Sequence, residues 1–100
     1  MTSPQEKRYI IRMPDETVRF IRGTHPQLKK KIRAALELIV SDPYVGKSLR
    51  DELEGLKSFK VSKFRIVYRI SPQRIVELVA IGPRRIIYEE TFKIIKKEKS

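Results

Sequence analysis

The 100-residue chain has no cysteine and no tryptophan, and its only histidine is His25. Without thiols there is no disulfide, no thiolate zinc site and no cysteine nucleophile. One histidine also argues against an imidazole-based metal centre, so no metal or other cofactor is expected. Apolar runs are short. Leu38-Ile39-Val40 falls far below the roughly 20 residues of a membrane-spanning helix. The stretch from Met1 to Arg8 lacks the apolar core of a secretory signal, which makes the cytoplasm the expected location. Negative charge is scarce as well: 12 Asp and Glu stand against 23 Lys and Arg, a net charge of +11. Self-repulsion at that charge opposes compaction, so the excess points to a polyanionic or acidic partner. A membrane surface is not expected, because no segment combines a strong apolar face with a basic one while lacking a core role.

What remains fits one small domain over residues 1–100, with residues 1–7 expected to be disordered. Tyr9-Ile10-Ile11-Arg12-Met13 is β-prone and stopped by Pro14. Asp15 is placed to N-cap a short helix closed by Gly23. Thr24 and Gln27 have capping-box spacing, Pro26 suits a first helical turn, and His25 reads as a local capping residue. Leu28, Ile32, Ala35, Leu36, Ile39 and Val40 then recur at helical spacing, as far as Asp42-Pro43.

After Leu56 the period becomes two. Phe59 and Val61 alternate with Lys60, and Phe64, Ile66, Tyr68 and Ile70 alternate with Arg65, Val67 and Arg69. Ser71-Pro72-Gln73 makes a turn, and Ile75 to Ile81 is apolar except for Glu77, as suits a central strand. A basic helix from about Glu89 ends the chain. The expected fold is α+β: an N-terminal strand and a helical hairpin packed on one face of a small antiparallel sheet, then a C-terminal helix.

If the Phe64–Ile70 stripe packs on the hairpin, Arg65 and Arg69 project from the opposite face. Lys60 faces the same way, Arg84 leaves the end of the next strand, and Lys63 stands at the rim. Three readings of that face compete: a solvated surface, sequence-neutral nucleic-acid binding, and cleavage of a phosphodiester with cations stabilising the developing charge. Pattern alone favours simple binding. Arginine stays protonated, so Arg65 is suited to clamping phosphate. A lysine among other cations has its charged form disfavoured, which suits Lys60 to general-base work.

Leu53-Glu54-Gly55-Leu56, Phe59-Lys60-Val61 and Phe64-Arg65-Ile66-Val67-Tyr68-Arg69-Ile70 resemble the central block of RelE-type toxins of the RelE/ParE toxin–antitoxin superfamily. Ile81-Gly82-Pro83-Arg84-Arg85-Ile86-Ile87-Tyr88 resembles the block that closes their active site. The resemblance spans about residues 9–95. It implies a metal-independent endoribonuclease that cuts mRNA on the ribosome by 2′-OH attack, inhibiting translation, and that is neutralised by a RelB-like antitoxin. Under it, Arg65 clamps phosphate, Arg84 stabilises the transition state or donates a proton, Tyr88 stacks on a base, and Lys60 is the first of a basic pair. The second of that pair falls on Ser62 or Lys63. Lys63, Arg69, Arg85 and Lys47 are the further expected RNA contacts. Histidine-assisted chemistry is not available, since Pro83 stands where many relatives have histidine, and Ser48 stands where some have glutamate. A ParE-like gyrase inhibitor and a non-catalytic basic RNA-binding protein are the alternatives.

Overall fold

Alternating apolar residues after Leu56 build three antiparallel strands, and the helical periodicity before them builds the hairpin that covers one side. The computed structural model describes residues 9–99; the lead-in expected at residues 1–7 lies outside the described residues. The order is β1 (Ile10–Arg12), α1 (Asp15–Gly23), α2 (Pro26–Ser41), β2 (Lys47–Ser48), β3 (Lys57–Val61), β4 (Phe64–Ser71), β5 (Ile75–Pro83) and α3 (Ile87–Glu98). Short 3-10 turns at Pro43–Val45 and Asp51–Leu53 flank β2.

The sheet runs β1-β5-β4-β3-β2. It is mixed rather than purely antiparallel, because β1 pairs parallel with β5 from Ile10↔Ile75 to Arg12↔Glu77. Local starts also differ from expectation. Pro14, not Asp15, is the N-cap of α1, and Asp15 lies in the first turn beside Glu16, where both favour the helix dipole. His25 caps α2 in place of Thr24, its Nδ1 accepting from the Gln27 N–H at 3.1 Å. α3 begins at Ile87, two residues before the start expected at Glu89.

Two apolar clusters sandwich the sheet. Ile32, Ala35 and Ile39 of α2 pack on Val61, Ile66, Tyr68, Val76 and Leu78, with Leu28 and Leu36 at the margin. On the other face α3 covers Leu56, Val67, Val79 and Ala80 through Ile87, with Ile94 and Ile95 packed alongside. A register shift at Val67/Tyr68 leaves Val79 between the pairs Val67↔Ala80 and Tyr68↔Leu78. Such a bulge bends the strand and increases its twist. Tyr68 is wholly buried, donates to the Pro43 carbonyl at 2.6 Å and accepts from the Gly46 N–H at 3.0 Å. Those two bonds pin the 43–46 turn onto the sheet and deliver Lys47 to β2. Burial pushes the Tyr68 phenol pKa up, so it stays neutral and keeps donating.

The end of α3 is pinned by charge. Arg69 reaches Glu98 at 3.0 Å and Glu77 at 3.3 Å, and Ser71 donates to Glu77. The Ser71 hydroxyl, then the Arg69 guanidinium, hold the Glu77 carboxyl below its usual range. A carboxyl depressed in the folded state stabilises it above the unfolded value, about 4.3, and loses that contribution as pH falls through the folded value. Chemical denaturation at a series of pH values should therefore show wild-type stability falling more steeply than that of Glu77→Gln below about pH 4. Parallel curves for the two proteins would remove Glu77 from the acid response.

Candidate active site

The register across β3, β4 and β5 places Lys60 opposite Arg65, and Arg65 opposite Gly82. Residues paired this way share a face, so two cations stand side by side with Cβ atoms about 4.5–5.5 Å apart. Like charges directly opposed destabilise a sheet, which makes the pair costly unless an anion lies between them. Arg65 is half-buried, and its Nε is buried with no hydrogen-bond partner among the described residues. Gly82 completes the row without a side chain; a Cβ there would come within 3.2 Å of Ile87 Cδ1.

Arg84 joins the same end of the sheet. Its backbone N–H donates at 2.9 Å to the carbonyl of Lys63, in the turn between β3 and β4. Arg84, Arg85 and Lys63 are all exposed there. The residues expected at the second basic position, Ser62 and Lys63, lie in the same turn. Ser62 sits there with φ +58 and Lys63 follows it, so neither is a strand neighbour of Lys60. Within β3, the residue that shares the face of Lys60 is Ser58.

Tyr88 lies over this neighbour. It is half-buried on the first turn of α3, packed on the Leu56–Val67–Ala80 cluster, with its hydroxyl 3.1 Å from Ser58 Oγ. Phe92, one turn further along α3, is 41% exposed, while Tyr88 and Ile95 pack on the cluster. Lys47 is the cross-strand partner of Ser58 on β2. Lys47, Ser48, Leu49, Arg50, Leu53 and Tyr88 line a cleft of about 770 Å³ beside the Lys60–Arg65 row. Cationic rims around an apolar and aromatic floor suit an unpaired nucleotide.

Thus Lys60, Arg65, Arg84, Tyr88, Lys63, Arg85 and Lys47 gather at one end of the face. Arg69 does not. It stands four residues along β4 and is committed to Glu77 and Glu98, so the expected RNA contact is a clasp for α3. Sequence reasoning missed Ser58, although its i−2 spacing from Lys60 on an alternating strand is the signal that places it. Among the described residues, no group of three or more His, Asp and Glu side chains is arranged to hold a metal ion.

A second cleft, about 450 Å³, lies between α1, the outer edge of β5 and α3. Pro14, Phe20, Ile81, Ile86, Ile87 and Ile94 supply much of its apolar wall, with Glu16 and Glu90 at its margin.

The family model for the ParE toxin of type II toxin–antitoxin systems matches residues 2–88. Among solved structures, the toxin–antitoxin complex RelBE2 from Mycobacterium tuberculosis is similar at 26% identity and TM-score 0.66, over 77% of this chain and 99% of that one. A mutant of the E. coli toxin RelE in the free state aligns at TM-score 0.71 and 15% identity, over 91% of this chain and 97% of that one. A chain of the intact E. coli RelBE toxin–antitoxin complex aligns at TM-score 0.64 and 16% identity, over 75% and 95%. The comparison with curated proteins returned no match.

Proposed function

The chain belongs to the RelE/ParE superfamily of toxins from type II toxin–antitoxin systems, and on that premise we propose that it is a ribosome-dependent endoribonuclease that cleaves mRNA. The observation that carries the reading is the Lys60–Arg65 cross-strand pair, two cations on one face of the sheet with Arg84 at the same end. A phosphodiester lying between them bonds to the guanidinium and relieves the like-charge contact. The ribose 2′-oxygen bonds to phosphorus and the P–O5′ bond breaks, leaving a cyclic 2′,3′-phosphate and a 5′-oxygen that takes a proton from water to become a hydroxyl. Lys60 is placed to take the 2′ proton. Arg65 holds the non-bridging oxygens, and Arg84, at the open end, meets the charge that develops on the departing oxygen. Tyr88 and the Lys47–Arg50 cleft hold the neighbouring nucleotide.

Lysine and arginine supply the charge stabilisation in this scheme. Cleavage on ribosomes kept intact by polyamines should therefore proceed at an unchanged rate in excess chelator. A rate that follows added divalent ion under those conditions would overturn the lysine–arginine mechanism.

The partner reading is an antitoxin of the RelB kind, supported by the complexes to which the chain is similar. Beyond Glu77, β5 has no strand on its outer side among the described residues, so its edge from Leu78 to Pro83 opens into the apolar cleft against α1 and α3. An extended antitoxin segment would add there as a sixth strand with its apolar residues in the groove. A second copy is disfavoured by a charge of +11 on each chain. Antitoxin affinity should fall as salt rises from 0.05 to 0.5 M, roughly from a 14 Å to a 4 Å screening length, if an acidic partner meets the basic face. Salt-independent affinity would assign the binding to the groove alone.

One observation favours a second reading, gyrase inhibition: the family model that matches is that of ParE toxins. The presence of a single lysine on the catalytic face of β3 is compatible with it.

A further inference from the structure

We infer that Ser58 is a positioning residue that fixes the ring of Tyr88 beside the Lys60–Arg65 pair, and so orients the nucleotide next to the scissile phosphate; this rests on the nuclease reading above. Ser58 shares its row of the sheet with Val67 and Ala80, beneath the start of α3. Its neighbours in that buried part of the row are apolar, and a position serving packing alone would be filled by alanine or valine. Ser58 is only 2% exposed; a buried hydroxyl costs free energy unless it is hydrogen-bonded, and this one bonds to the Tyr88 hydroxyl at 3.1 Å.

The geometry of that bond is useful because of what lies around it. Ser58 is two residues from Lys60 on the same face, about 7 Å along the strand. Its other cross-strand neighbour is Lys47. Tyr88 leaves the first turn of α3; packing on the Leu56–Val67–Ala80 cluster seats its ring, and the Ser58 bond holds the hydroxyl end. Anchored at its hydroxyl, the ring forms a fixed wall between the Lys60–Arg65 row and the cleft lined by Lys47, Leu49, Arg50 and Leu53. A base stacked on a fixed wall holds its 3′ or 5′ phosphate at a fixed distance from Arg65. That relation is what an in-line 2′ attack requires.

The test has a structural arm and a kinetic arm. In spectra of the full chain with ring-labelled tyrosine, Ser58→Ala should shift and broaden the Tyr88 signals. Tyr9, Tyr44 and Tyr68 should stay in place, and Ser58→Thr should restore the wild-type positions. In single-turnover cleavage, Ser58→Ala and Tyr88→Phe should each slow the reaction about tenfold, the worth of one such hydrogen bond, with ribosome affinity unchanged. The double variant should be no slower than either single one, since both remove the same bond. Unmoved Tyr88 signals in Ser58→Ala, or losses that multiply in the double variant, overturn the inference. If the unaltered chain cuts no mRNA, the nuclease reading fails on its own, and the ring spectra alone decide whether Ser58 holds Tyr88.

Discussion

Arg65→Ala and Arg84→Ala should each slow single-turnover mRNA cleavage by about 10²–10³ and abolish growth arrest, while the protein remains folded. Removing one preorganised donor aimed at developing negative charge costs about 3–4 kcal/mol of transition-state stabilisation. Neither change opens the main core. Arg84 is exposed, and Arg65 faces away from the Ile32–Ile39 cluster. For Arg65, truncation also removes a like charge from beside Lys60, so thermal stability should hold or rise slightly. Ribosome affinity should fall much less than the rate, because many of the 23 basic residues contribute to a general attraction. Arg69→Ala provides the contrast. It should loosen α3 through loss of the Glu77 and Glu98 contacts and lower stability before it lowers the intrinsic cleavage rate. Equal catalytic losses for Arg69 and Arg65 would contradict the division of this face into a site and a clasp.

Gly46→Ala should be the most destabilising of the small-residue changes. A Cβ at Gly46 would collide with the hydroxyl of Tyr68, which has no room to retreat because it is wholly buried and bonded on both sides. Overpacking costs about 1–3 kcal/mol, and displaced buried polar groups cost a similar amount. Each kcal/mol lowers the melting temperature of a domain this size by about 4–8 °C. Tyr68→Phe removes the hydroxyl with which the new methyl collides, so Gly46→Ala in that background should cost clearly less than in the wild type. Equal costs in both backgrounds would show that the Tyr68 anchor does not limit this turn. Because the turn leads directly into β2, a disrupted anchor should also displace Lys47 from the nucleotide cleft.

Much of this arrangement is legible in the alternation of β4. Ile66 and Tyr68 buried against α2 require Arg65 to emerge on the far side, and it does. The same logic puts Arg69 there as well, and periodicity carries no sign that α3 folds back over that half of the face. The contact depends on Glu98, twenty-nine residues away, which no local pattern links to Arg69. The start of α3 was hidden for a different reason. Ile86 offers no capping side chain, and the acidic residues that mark a first turn, Glu89 and Glu90, come after the helix has begun. The parallel pairing of β1 with β5 is equally silent, since a three-residue strand has no register signal strong enough to choose a partner. At the site, Lys60 and Arg65 followed from strand period alone, whereas the roles given to Arg84 and Tyr88 came from family resemblance. Strand period puts Ser58 on the face of Lys60, but nothing local links it to Tyr88, thirty residues away, whose hydroxyl it meets.

The most direct test is to map mRNA 5′ ends by primer extension in cells expressing the wild-type chain or Arg65→Ala, with plasmid supercoiling measured in the same cultures. The expected result is new 5′ ends within translated messages in the wild type only, with normal supercoiling in both. Intact messages together with relaxed plasmid DNA in the wild type, or the wild-type cutting pattern in Arg65→Ala, would contradict the account.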